Sequence, residues 1–130
     1  MAVTETQIVE LVDAFYAKIR ADSVLGPVFD RAIAPESWPV HLAKMYDFWS
    51  SVMLTTGRYK GNPLGTHFKV EGLQPEMFAR WLGLFNATAG ELFPPEIAED
   101  FRVKSERIAE SLKLGLFFRP ELGLMIRPSS

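Results

Sequence analysis

Apolar side chains recur along this chain at the three- and four-residue spacing of helices, and no stretch alternates with the period of two that a half-buried strand needs. Ile8, Leu11, Val12, Phe15, Tyr16 and Ile19 mark one face of a first helix, and Thr4 with Gln7 three residues on has the form of a capping box. Leu25-Gly26-Pro27 breaks that pattern, after which Val28, Phe29 and Ile33 suggest a short helical piece. Ser37 stands as an N-cap with Pro39 close to the first helical position. Trp38, His41, Leu42, Met45, Phe48, Trp49, Val52 and Met53 then form one long stripe, and Gly57 reads as its stop.

A loop rich in Gly, Asn and Pro follows, and Asn62-Pro63 can start one short turn in which Leu64, His67 and Phe68 share a face. Pro75 opens the next pattern, with Phe78, Trp81, Leu82, Phe85, Ala89 and Leu92 on its apolar side. Pro94-Pro95 separates it from a last one: Ile97, Ala98, Phe101, Ser105, Ile108, Ala109, Leu112 and Leu116. The reading is all-α. Residues 1–130 are expected to form one domain, large enough to bury roughly two-thirds of its unfolded surface. The end is irregular: Leu116, Phe117, Phe118, Leu122, Leu124, Met125 and Ile126 are apolar but broken by Pro120 and Gly123. Whether 114–130 belongs to the core fold is left open, since this stretch can pack on the domain or against a second subunit. A monomer or weak dimer is expected.

Apolar residues make up 48% and charged residues 23%, the balance of an ordinary soluble domain. A net charge of −2 offers no basic footprint for nucleic acid. The N-terminus lacks the basic and apolar regions of a signal peptide, and no apolar run approaches membrane-spanning length. The expected location is the cytoplasm.

There are two histidines and no cysteines, so a bound metal would need imidazole, carboxylate, tyrosinate or thioether ligands. Both histidines fall on apolar faces. His67 sits on a short, loop-held turn that can adjust to place a nitrogen on a metal, and His41 rides a long rigid helix suited to hovering over a bound ligand. With ten Phe, three Trp and three Tyr available for walls, an iron porphyrin between the two helices is one reading. Structural core histidines are another. A zinc site from His41, His67 and a carboxylate is a minor third, because it lacks a ligand-spacing signature.

Several segments, in this order and spacing, carry a resemblance. They are Phe15-Tyr16, the run Asp22-Ser23-Val24-Leu25-Gly26-Pro27-Val28-Phe29, Trp38-Pro39-Val40-His41 leading to Phe48-Trp49-Ser50-Ser51, and Tyr59-Lys60-Gly61-Asn62-Pro63 before His67. Phe78-Ala79-Arg80-Trp81-Leu82-Gly83-Leu84-Phe85 and Arg107-Ile108-Ala109-Glu110-Ser111-Leu112 complete them. Over roughly residues 8 to 113 the chain resembles a truncated haemoglobin, a globin-like two-over-two helical sandwich around haem. Single Gly26, Gly57 and Gly61, where other subgroups pair glycines, favour the third subgroup.

The resemblance implies roles. His67 matches the proximal axial ligand to the iron of haem b (iron protoporphyrin IX). Tyr16, His41 and Trp81 match the distal residues that face a bound ligand, with His41 cast first as a swinging gate. Phe29 matches the phenylalanine that stacks on the porphyrin. Phe15, Leu42, Met45, Phe48 and Trp49 read as pocket wall or adjacent core. Tyr59, Lys60, Arg80 and Arg102 are candidates for the propionates, since hydroxyls and cations satisfy carboxylates at a pocket mouth.

Ferrous haem passes electron density to dioxygen, so donors in a dry pocket retain it. Slow release suits a carrier poorly. The implied function is binding of dioxygen, nitric oxide or other small ligands. The alternative is an enzyme acting on nitric oxide or peroxide, a dioxygenase or peroxidase with an electron donor in trans. A helical bundle with an interaction role, resting on the apolar tail, is a third class.

Overall fold

The computed structural model describes residues 3–117, apart from the side chain of Phe68. Phe118, Leu122, Leu124, Met125 and Ile126 of the apolar tail therefore lie outside the described residues. Among the described residues there are six α-helices, α1 Glu5–Ala21, α2 Leu25–Ala32, α3 Trp38–Leu54, α4 Pro63–Phe68, α5 Glu76–Leu92 and α6 Pro95–Phe117, with a 3-10 turn at Pro35–Ser37. No strand occurs among the described residues, so the all-α expectation holds. Leu114, Gly115, Leu116 and Phe117 continue α6, and the Phe117 ring packs edge-on against Phe78 at 6.2 Å.

The ends of the helices follow local chemistry. Thr4 and Gln7 form both bonds of the expected capping box, at 3.1 and 3.0 Å. The second helix begins earlier than its apolar spacing suggests. Asp22 accepts from the N–H groups of Val24 and Leu25 at 3.1 and 2.9 Å, so the break falls at 22–24 and Pro27 lies inside the first turn, where a missing N–H costs nothing. Gly26 is needed there, because a Cβ would stand 2.8 Å from the Arg20 carbonyl oxygen. The third helix stops at Thr55, in the left-handed region at φ 56°, two residues before Gly57. Ser37 precedes it without a side-chain cap. A small network explains the stop. Thr56 Oγ1 lies 2.8 Å from Ser50 Oγ, which donates to Glu5 at 2.8 Å, and Arg58 reaches the same carboxylate at 3.0 Å.

Two helix pairs, α1 with α3 and α5 with α6, lie across one another. α1 packs on α5 as well, α2 packs on α1, and α4 packs on α6. Phe85 is wholly buried at the crossing. Its ring meets Phe15 at 5.1 Å, Trp49 at 4.9 Å, Trp81 at 5.3 Å and Phe101 at 6.2 Å. One stripe residue departs from expectation: Leu92 is 42% exposed, because the chain turns extended at Phe93 and that ring, stacked on Phe101 at 5.5 Å, takes the inward place.

Arg80 of α5 donates to Asp22 at 2.7 Å, tying the α1–α2 corner to the opposite pair. This bond, with smaller help from the Leu25 and Val24 N–H groups, holds the Asp22 carboxyl at about 2, below its ordinary 3.8. A carboxylate depressed in the folded state contributes stability above its unfolded pKa and loses it as pH falls toward the folded one. Asp22→Asn is therefore expected to lower the unfolding free energy by about 1–2 kcal/mol at neutral pH. Near pH 2 the two proteins should unfold at nearly the same urea concentration. An equal penalty at both pH values would assign the loss to shape rather than charge.

Candidate functional site

The first element of the site is the shortest helix, fixed by bonds within its own turn. Asn62 caps α4 by accepting from the Gly65 N–H at 3.1 Å, and a Cβ at Gly65 would come within 2.6 Å of the Asn62 amide. Pro63 supplies a preset first turn. His67 then lies one turn on, with Nδ1 2.7 Å from the Pro63 carbonyl oxygen. A carbonyl only accepts, so Nδ1 carries the proton and donates. Nε2 of the neutral ring keeps its lone pair for another partner. Leu64 anchors the helix against Gly115 of α6.

A second cluster forms where α1, α2 and α3 meet. The Tyr16 ring is edge-on to His41 at 5.1 Å, to Trp38 at 5.9 Å and to Phe29 at 5.9 Å. Trp38 also holds the His41 ring edge-on at 5.3 Å and stacks with Phe29, while the Arg20 guanidinium lies 4.5 Å above it. Burial pushes the Tyr16 hydroxyl above the ordinary phenol range, so it stays protonated. His41 Nε2 is buried with no hydrogen-bond partner among the described residues. Burial first, then the charge of Lys44, pushes His41 down to about 4.

The other expected site residues divide into three groups. Phe15 is core: its ring lies between Tyr16, Trp81 and Phe85 at 5.1, 5.3 and 5.1 Å. Trp81 is half-buried beside it and stacked on Phe85, and Leu42, Met45 and Phe48 are half-buried along α3. Tyr59 packs its ring on Phe48 at 5.2 Å and its N–H donates to Ser51 at 2.9 Å, with exposed Lys60 beside it before α4. Arg80 and Arg102 stand elsewhere. Arg80 is bound to Asp22, and Arg102 to Glu99 and Glu106 of its own helix, so both guanidiniums already face protein carboxylates. Among the described residues no group of three His, Cys, Asp or Glu gathers to hold a metal, so the minor zinc reading lacks its third ligand. An open groove along α6, lined by Val103, Glu106, Arg107 and Leu114 among others, holds neither histidine.

Sequence reasoning missed two supports. The Pro63 carbonyl is the partner that sets the His67 tautomer, and the four-residue spacing between them was the available signal. Trp38, clamped under Arg20, orients His41 from the side. No spacing signals that pair, because Arg20 and Trp38 meet only through the α1–α3 packing. What results is one imidazole lone pair on α4, and on α1 and α3 a protonated phenol with a neutral imidazole. These are groups suited to an electron-pair acceptor and a small polar ligand.

No family model matches the chain. The group 3 truncated haemoglobin of Campylobacter jejuni is 32% identical over 117 residues, 88% of this chain and 92% of that protein. The crystal structure of the group III truncated haemoglobin from Campylobacter jejuni matches the fold with a TM-score of 0.84 at 31% identity, covering 89% of this chain and 93% of that one.

A buried polar atom without a partner costs on the order of 1–3 kcal/mol. His41→Leu should therefore raise the urea unfolding midpoint of the chain with no ligand added. A lower midpoint would show that the imidazole stabilises the fold rather than burdening it.

Proposed function

Because the chain belongs to the group 3 truncated haemoglobin family, we propose that it binds haem b through His67 and holds dioxygen or another small diatomic ligand in the pocket of Tyr16, His41 and Trp81. The observation that carries this reading is the bond from His67 Nδ1 to the Pro63 carbonyl. It fixes the tautomer and ring orientation and leaves Nε2 as a ligand nitrogen. The orphaned Nε2 of His41 fits the same group, since a bound ligand would give it the partner that the protein withholds.

Haem, when bound, supplies an iron centre that takes a diatomic molecule and passes electron density onto it. The chain's own residues do the rest. Tyr16, kept protonated by burial, donates a hydrogen bond. The Trp81 indole is a donor only, and its stacking on Phe85 fixes its plane. His41 stays neutral above about pH 4 and can donate, accept or swing aside. Leu42, Met45 and Phe48 form an apolar wall against which a flat macrocycle can lie, keeping water from the donors. Tyr59 and Lys60 are the groups we assign to the propionates, in preference to the engaged Arg80 and Arg102.

One observation favours an enzymatic second reading, the reduction of peroxide. His41 Nε2, neutral and unpartnered, is free to take a proton from a ligand and return it.

Two measurements test the proposal. The purified chain supplied with haem should show the absorption spectrum of a histidine-ligated pigment, and His67→Ala should abolish stable uptake. Tyr16→Phe should speed dioxygen release roughly 10- to 100-fold, the worth of one hydrogen bond to a charged acceptor. Unchanged release would remove Tyr16 from the site.

A further inference from the structure

A column of rings runs inward from the proposed pocket through the core of the helix sandwich. Trp81 stacks on Phe85 at 5.3 Å with 8° between planes, and Phe85 stacks on Trp49 at 4.9 Å with 19°. One turn before Trp49 on α3 stands Tyr46, whose hydroxyl donates to Asp13 of α1 at 2.5 Å, at the exposed rim of the α1–α3 contact. The chain has three tyrosines, and they differ in one respect. Neither Tyr16 nor Tyr59 has a carboxylate partner among the described residues; burial alone pushes their hydroxyls up. Asp13 is what raises Tyr46, to about 12, mainly through the hydrogen bond it accepts.

That difference matters for one-electron chemistry. A phenol gives up an electron readily only when its proton leaves with it, because the radical cation is a strong acid. A carboxylate already hydrogen-bonded to the hydroxyl is the acceptor such a transfer needs. Indole rings are the other side chains oxidisable in this way; Trp81 and Trp49 stack on Phe85, and Trp49 is three residues from Tyr46 on α3, a spacing at which helical side chains neighbour one another.

We propose that Tyr46, with Asp13 as its proton acceptor, is a redox-active surface residue at which the protein oxidises phenolic reductants from solution, its electrons passing inward through Trp49 and Trp81. The inference rests on the haem reading and gives its peroxide arm a substrate class. Hydrogen peroxide, the oxidant, takes up two electrons and two protons and leaves as two waters. Each electron is drawn from Tyr46, whose phenolic proton moves to Asp13, leaving a neutral phenoxyl radical. An external phenol then returns a hydrogen atom to Tyr46 and departs as its own phenoxyl radical. Over two such cycles one peroxide and two phenols become two waters and two phenoxyl radicals, with the proton on Asp13 released to complete the water.

The test uses the full chain loaded with haem, mixed with hydrogen peroxide and frozen for electron paramagnetic resonance. Wild type should give a tyrosyl radical signal, and Tyr46→Phe should lose it while keeping the histidine-ligated absorption spectrum. Asp13→Asn, which cannot take the proton, should lower the radical yield several-fold. Guaiacol oxidation should fall in parallel in both variants. A radical that persists in Tyr46→Phe, or no tyrosyl signal in loaded wild type, would overturn this inference and leave the haem reading standing. A chain that takes up no haem overturns both.

Discussion

Phe85 is the point on which the arrangement depends. Its ring touches Phe15 of α1, Trp49 of α3, Trp81 of α5 and Phe101 of α6, so one wholly buried side chain reads the positions of all four long helices. Each aromatic pair adds about 0.5–1.5 kcal/mol beyond the area it buries, and the geometry of each is directional. Three of the rings are neighbours in sequence or helix position of groups in the site. Phe15 precedes Tyr16, Trp81 is itself a candidate site residue, and Trp49 lies two turns along α3 from His41. The Tyr16–His41 cluster is thus built outward from the core and inherits its rigidity.

The His67 turn obeys a different constraint. α4 has six residues, too few to hold a shape by propensity, and it is fixed by its own cap, its proline and the His67–Pro63 bond. Packing on α6 sets where this turn stands, through Leu64 against Gly115. A rigid wall of rings on one side and a self-capped turn on the other hold the two imidazoles by independent means.

Charge is kept to the periphery. Glu5 with Arg58, Lys18 with Glu91 and Asp22 with Arg80 each join different elements near their ends. Inside, Tyr16 and His41 are both held neutral, because burial disfavours whichever form carries charge. Neither group is therefore engaged beforehand by a protein carboxylate among the described residues.

Much of this was legible in the spacing of residues. The three- and four-residue recurrence of apolar side chains, Thr4 with Gln7, and the prolines at 39, 63, 75 and 95 located the helices, because those signals act within a turn or two of backbone. The segments from Phe15-Tyr16 to Asn62-Pro63 before His67 were enough to point to the family, to which the chain belongs. What depended on helices meeting was not legible. That Arg80 faces Asp22, that Arg20 caps Trp38 under His41, that Leu92 turns outward in favour of Phe93, and that Tyr46 rather than Tyr59 acquires a carboxylate are outcomes of packing between residues far apart in the chain. Short-range pattern records which face of a helix is apolar. Which side chain on another helix it meets is decided only when the cores close.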